Sequence, residues 1–233
     1  MTLLSVVRGV CSVVGVSMPQ SVFSGLATNR TMQEMVELAN EMSQRIAYDT
    51  REWTKLLYAV VINGDGVQQG FTLPANFKRM MLNTNVVRLS TPTQPMRFIP
   101  DYNEWLDRGF NKINDPRGEW IMVGEKIYTR PILSTGDGIH FTYIDKNCVN
   151  LNSGGQGDAY LNDLDTFRLD ERLLKLGMIW QWKAQKGSPY AEDMGTYGDA
   201  LTYAMGSDKP SPIIVGRLPV SAYMRGNDPW AMP

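Results

Sequence analysis

The chain is poor in the residues that metal and redox sites concentrate, with two cysteines and one histidine among 233 residues. Cys11 lies in an apolar N-terminal stretch and Cys148 follows a strand-like run, so they read as unpaired thiols. With His140 they are too few for a zinc site of Cys and His ligands, and a small secreted scaffold would carry more cysteine. No metal or cofactor is expected. Charge of one sign is also lacking: 23 Lys and Arg face 24 Asp and Glu, a formal charge of -1. There is therefore no basic field to hold nucleic acid by counterion release, although a wall that DNA merely passes is compatible with neutrality. No run approaches the roughly 20 apolar residues of a membrane span. The stretch 3–18 lacks a basic start and a small-residue cleavage site, and Arg8 interrupts it, so it reads as a short helix, not a signal peptide.

What is present is a core-forming composition, 43% hydrophobic and 10% aromatic, enough for one domain with extensions. Leu3, Val6, Val7, Val10 and Val14 recur at helical spacing until Gly15 and Pro19. Thr31-x-x-Glu34 has capping-box spacing, and Met32, Met35, Val36, Ala39, Met42 and Ile46 form one apolar stripe, which predicts a helix over 31–48. Leu56 to Ile62 then runs into Asn63-Gly64-Asp65-Gly66, and Val67 to Leu73 reads as the return strand of a hairpin.

After Pro74, residues 75–81 are expected to form a helical turn and 85–89 a strand. Asp101 can cap a short helix carrying Trp105 and Leu106. Residues 120–123 and 126–129 read as strands about Gly124-Glu125, and 139–144 alternates as a half-buried strand does. Residues 150–158, rich in glycine, are expected to be a flexible loop.

Helical chemistry returns at Asp170. Acids open the segment, Lys183 and Lys186 close it, and Gly187 follows. Its apolar residues Leu173, Leu174, Leu176, Met178, Ile179, Trp180 and Trp182 exceed one stripe, which predicts burial on two sides, one of them available to a neighbour. Ser188-Pro189 reads as the start of a last helix, in which Tyr190, Met194, Tyr197, Leu201 and Met205 repeat and which Gly206 ends. The fold class is therefore α+β: a helical body over 1–208, with a small antiparallel sheet inserted over about 56–146, and an extended arm over 209–233. The arm combines several prolines with Ile213, Ile214, Val215, Leu218, Tyr223 and Trp230, a composition suited to lying along a neighbouring subunit or partner, the alternative being a terminal segment packed on its own domain.

The order of these segments resembles the head-to-tail adaptor proteins of tailed phages, including the tail tubular protein A type of short-tailed phages. The resemblance rests on Val10-Cys-Ser-Val-Val-Gly-Val-Ser-Met-Pro19, on Phe71-Thr-Leu-Pro-Ala-Asn-Phe77 and on Tyr102-Asn-Glu-Trp105. Above all it rests on Asp165-Thr-Phe-Arg-Leu-Asp-Glu-Arg-Leu-Leu-Lys-Leu-Gly177, running on to Trp180-Gln-Trp-Lys-Ala-Gln-Lys-Gly187. It implies a non-enzymatic virion protein at the head-tail interface, assembled in the host cytoplasm. It further implies a dodecameric ring joined to the portal above and to a tail or nozzle protein below, with DNA passing through the lumen unbound. On that reading Leu173, Leu176, Trp180, Trp182, Tyr190, Met194, Tyr197 and Leu201 form the subunit interface, and the apolar residues of the arm contact the portal or a neighbour.

The competing reading is a carbohydrate- or polymer-binding protein or hydrolase using Asp163 and Asp165, which flank Leu164 near Asp158 and Asp170. Paired carboxylates work as acid and base only at defined separations in a cleft, and turn and capping roles explain these with less. Trp105, Trp120, Trp180 and Trp182 read as packing residues before they read as a sugar platform. Gly154-Gly155-Gln156-Gly157 lacks the Gly-Lys-Ser/Thr ending of a phosphate loop.

Overall fold

A computed structural model describes residues 1–24, 29–82, 84–112 and 115–208. The arm over 209–233, with Ile213, Ile214, Val215, Leu218, Tyr223 and Trp230, lies outside the described residues. The architecture is α+β, a helical body and a sheet body joined along one long strand.

The helical body contains α1 (Leu3–Val14), α2 (Arg30–Gln44), α4 (Glu171–Gln185) and α5 (Ala191–Asp208). Valine and leucine at helical spacing bury Leu3, Val6, Val7 and Val10 of α1 against α4. The α2 stripe Met32, Met35, Val36, Ala39 and Met42 closes the same core. The cap of α2 differs from the capping-box reading: Asn29 accepts from the N–H groups of Thr31 and Met32 at 3.0 and 3.4 Å, so the helix starts before Thr31. Glu34 instead pairs outward with Arg30 and Lys186, at 3.0 and 2.6 Å. The last turn, Arg45–Asp49, is π-helical, and the carbonyl of Ile46 accepts from Thr50 Oγ1 and Trp53 Nε1, both at 2.7 Å.

The sheet body has β1 (Leu57–Asn63), β2 (Gly70–Thr72), β3 (Phe77–Met80), β4 (Val87–Arg88) and β5 (Arg97–Phe98). It continues with α3 (Tyr102–Phe110), β6 (Glu119–Val123), β7 (Lys126–Arg130) and β8 (Gly138–Asp145). One sheet has the order β1-β8-β3, with β4 also on β8; the other has the order β2-β7-β6-β5. Phe71, Trp120, Ile127, Ile139, Phe141 and Tyr143 fill the space between them. On the outer face of the second sheet α3 buries Trp105 against Ile99 and Ile121. A third small sheet, β9 (Val149–Asn150), β10 (Gln156–Gly157) and β11 (Thr166–Phe167), leads back to α4.

Four local readings are corrected by tertiary pairing. The expected hairpin of 56–62 with 67–73 does not form: β1 pairs along its whole length with β8, from Leu57 opposite Ile144 to Asn63 opposite Gly138, and β2 pairs with β7. Asp65 curls the intervening chain by accepting from Val67 and Gln68 N–H at 2.9 and 2.7 Å, while Gly64 and Gly66 donate to Asp137 and Leu133 carbonyls. The chain is thus turned to the other sheet.

Residues 75–81 give β3 instead of a helical turn, because β8 offers an edge on which Phe77 and Met80 reach the core. The glycine-rich stretch is an ordered hairpin of β9 and β10, in which Gly154 and Gly155 supply the positive φ of its turn. Finally, α5 begins at Ala191 and runs through Gly206 to Asp208, whose carboxylate accepts from Thr54 N–H at 3.0 Å.

Candidate functional site

The segment that carries the strongest sequence signal, 165–187, is where the two bodies meet. Asp165 is buried, and its two oxygens accept from the N–H groups of Asn152, Leu161 and Asn162 at 2.7 to 2.8 Å. Asp163 accepts from Val22 and Phe23 N–H at 2.9 and 3.2 Å and from the Ser21 hydroxyl. The carbonyls of the same two residues accept from Leu4 and Leu3 N–H, pinning the start of α1. Both carboxylates considered for hydrolysis are thus engaged as structural acceptors, Asp165 by backbone N–H groups alone and Asp163 by two backbone N–H groups and the Ser21 hydroxyl.

Phe167 enters the helical core. Beside it Arg168, 7% exposed, donates to Asp145 at 2.7 Å, to the Asn147 carbonyl and to the Lys55 carbonyl at 3.0 Å. Asp145 is the last residue of β8 and fully buried, so this ion pair ties the helical body to the sheet body. Sequence reasoning missed it, because nothing local to Arg168 announces a partner 23 residues earlier. Asp170 then caps α4, accepting from Arg172 N–H at 2.8 Å.

Along α4, apolar residues on more than one side are satisfied by α1, α2 and α5 of the same chain. Gly177 permits this closeness: a Cβ there would lie 2.5 Å from Met42 Cε and 3.4 Å from the Tyr197 ring. Leu173, Trp182 and Tyr197 are core residues of the single chain, whereas Leu176, Trp180 and Leu201 are half-buried. Tyr190 and Met194 are exposed. Trp180 lies 6.5 and 6.1 Å from the rings of Tyr190 and Tyr197, joining α4 to α5, and Lys183 donates to Asp193 at 2.6 Å across the same seam.

Among the described residues, the outer side of α5 has no such cover. Met194 and Tyr203 are 50% and 78% exposed, and a Cβ built on Gly195, Gly198 or Gly206 meets nothing within 4 Å. Within the helix, Ala191, Gly195, Thr202 and Gly206 lie on the side away from the buried Tyr197, whereas Ala200 and Ala204 pack against the core. Tyr203 was not singled out by the sequence pattern, although it stands between two positions of the small-residue row.

His140 is a half-buried strand residue of β8, opposite Val61. Trp105, Trp120 and Trp182 are buried as packing residues. Among the described residues, no group of three or more His, Cys, Asp and Glu side chains is placed to hold a metal ion, and no helix is long and apolar enough to cross a membrane. Burial raises the thiol pKa of both cysteines, that of Cys148 to about 11. No protein-family model matches the chain, and no curated protein matches it.

Proposed function

We infer that the chain is a structural subunit of a tailed-phage particle, the head-to-tail adaptor that forms a ring between portal and tail around the channel for DNA. The resemblance of its segment order supports this, as does the pairing of a helical body with an inserted sheet body. The observation that carries the assembly reading is the outer face of α5. Helical glycine costs about 1 kcal/mol relative to alanine, and Gly195, Gly198 and Gly206 return nothing for it among the described residues. A neighbour packed closely on that face would use the space, with Met194 and Tyr203 as apolar contacts at its two opposite edges.

On this reading the subunit wall is the exposed side of α5 with the half-buried Trp180, Leu176 and Leu201 behind it. Leu173, Trp182 and Tyr197 act by holding α5 in place. The 209–233 arm continues from Asp208 and reaches the portal or a neighbouring subunit. Met194→Arg with Tyr203→Arg changes only exposed side chains, so the variant should keep its circular dichroism and melting temperature while losing ring formation in sedimentation velocity with co-expressed portal. Rings formed in wild-type yield by that variant contradict the assignment of this face.

A further inference from the structure

A second surface lies on the sheet body, away from α5. Between α3 and the second sheet is a cavity of about 400 Å³, lined by Tyr102, Trp105, Leu106, Phe110, Tyr128 and Arg130 among others. Tyr102, Leu106 and Phe110 recur every four residues along α3, yet they are 52%, 39% and 83% exposed, an apolar stripe left on the open shoulder of a helix that already buries Trp105. A cavity of this size lined mainly by aromatic and aliphatic groups, with Arg130 and Gln69 among its few polar side chains, has the form of a recognition site.

Arg130 is the charged member of that lining, and no acid lines it. Its guanidinium lies 4.1 Å over the Trp105 ring, donates from Nη1 to the Trp105 carbonyl at 3.2 Å and stands 3.8 Å from Glu119. Its other N–H groups have no hydrogen-bond partner among the described residues. Glu119, fully buried, is engaged by Arg108 instead, so two guanidinium groups share one carboxylate beneath α3. Gly109 allows the arrangement: a Cβ there would fall 2.7 Å from Arg130 Nη2. The cluster leaves a recessed guanidinium at the base of an apolar groove, sharing its one carboxylate neighbour with Arg108.

We propose that this cavity docks an acidic residue of a partner protein, its carboxylate on Arg130 and an adjacent aromatic or aliphatic residue against Leu106 and Phe110. A planar, fixed guanidinium presents paired donors suited to a carboxylate. A nucleic-acid strand would need a row of cations to follow its phosphates, and the cavity offers one, 14% exposed and reached by a single side chain. The site is independent of the α5 face and stands or falls separately from ring formation.

The test is selection of random dodecapeptides displayed on yeast against the full chain, with Phe110→Ser as the counter-target. Position 110 is exposed enough to change without loss of folding. Enriched peptides should carry Asp or Glu within two positions of Phe, Tyr, Trp, Leu or Ile. Replacing that acid by its amide in a synthetic peptide should weaken binding at least about tenfold, as should Leu106→Glu in the protein, with ring formation unchanged. No enrichment, enrichment of acid-free peptides, or equal binding to Phe110→Ser overturns the proposal. Competition by an oligothymidylate that is itself lost on Phe110→Ser overturns it in favour of nucleic acid.

Discussion

At the scale of single residues, buried charges fix how the pieces join. Arg168 and Asp145 are 7% and 0% exposed, and each is also hydrogen-bonded to backbone. Removing one partner strands the other, so Arg168→Ala should cost about 3–5 kcal/mol, whereas Arg168→Met combined with Asp145→Leu should cost less than either single change. Urea denaturation of the three variants measures this. Asp137 performs a similar task at the start of β8, accepting from Ser90 N–H and Oγ at 3.0 Å, from Gly138 N–H at 2.8 Å and from Arg88. Burial pushes its carboxyl upward, but those hydrogen bonds together outweigh it and hold the pKa below the ordinary carboxylate value. A depressed folded pKa gives stability that is present above the unfolded value of about 3.9 and lost as pH falls through the folded one. The stability gap between wild type and Asp137→Asn should therefore be full at pH 6 and narrow below pH of about 4. A gap that does not change with pH would place the effect in packing instead.

At the scale of elements, α5 separates what helps the monomer from what helps an assembly. Gly195 and Gly198 are helical, with no positive φ, and among the described residues no atom beyond the helix's own adjacent backbone lies within 4 Å of where an alanine methyl group would stand. Gly195→Ala with Gly198→Ala should raise the stability of the isolated chain by about 1–2 kcal/mol while reducing the yield of rings. Thermal unfolding and sedimentation velocity on the same preparation read both effects. If the substitutions stabilise the chain and leave assembly untouched, the glycines are tolerated helix residues and the outer face of α5 is free. The helices were legible in the sequence because their apolar periods and caps are local: α1, α3 and α4 lie close to where Leu3-Val6-Val10, Asp101 and Asp170 place them. The strand partners were not legible, since Asn63-Gly64-Asp65-Gly66 looks like a hairpin turn until β8, more than 70 residues on, proves the better partner for β1.

At the scale of the whole molecule, the sequence pattern anticipated a helical body with an inserted sheet, which the structure has. It could not show that apolar residues on two sides of α4 would be consumed within the chain. Leu173, Trp182 and Tyr197 look like interface residues on a helical wheel, yet all three are buried within the chain, where α4 packs on α1, α2 and α5. Nor could it show the cavity beside Arg130, which depends on α3 crossing a sheet whose strands are distant in sequence. Among the described residues two distinct faces remain outward, one with glycines and exposed apolar residues on α5 and one aromatic and cationic beside α3. The proposed adaptor role would use the first face for its own copies and the second for another protein. The most direct measurement is electron microscopy of the purified chain with and without co-expressed portal. Closed rings seated on the portal, with α5 at the contact between adjacent subunits, are the expected result; a monodisperse monomer that neither forms rings nor binds the portal would contradict it.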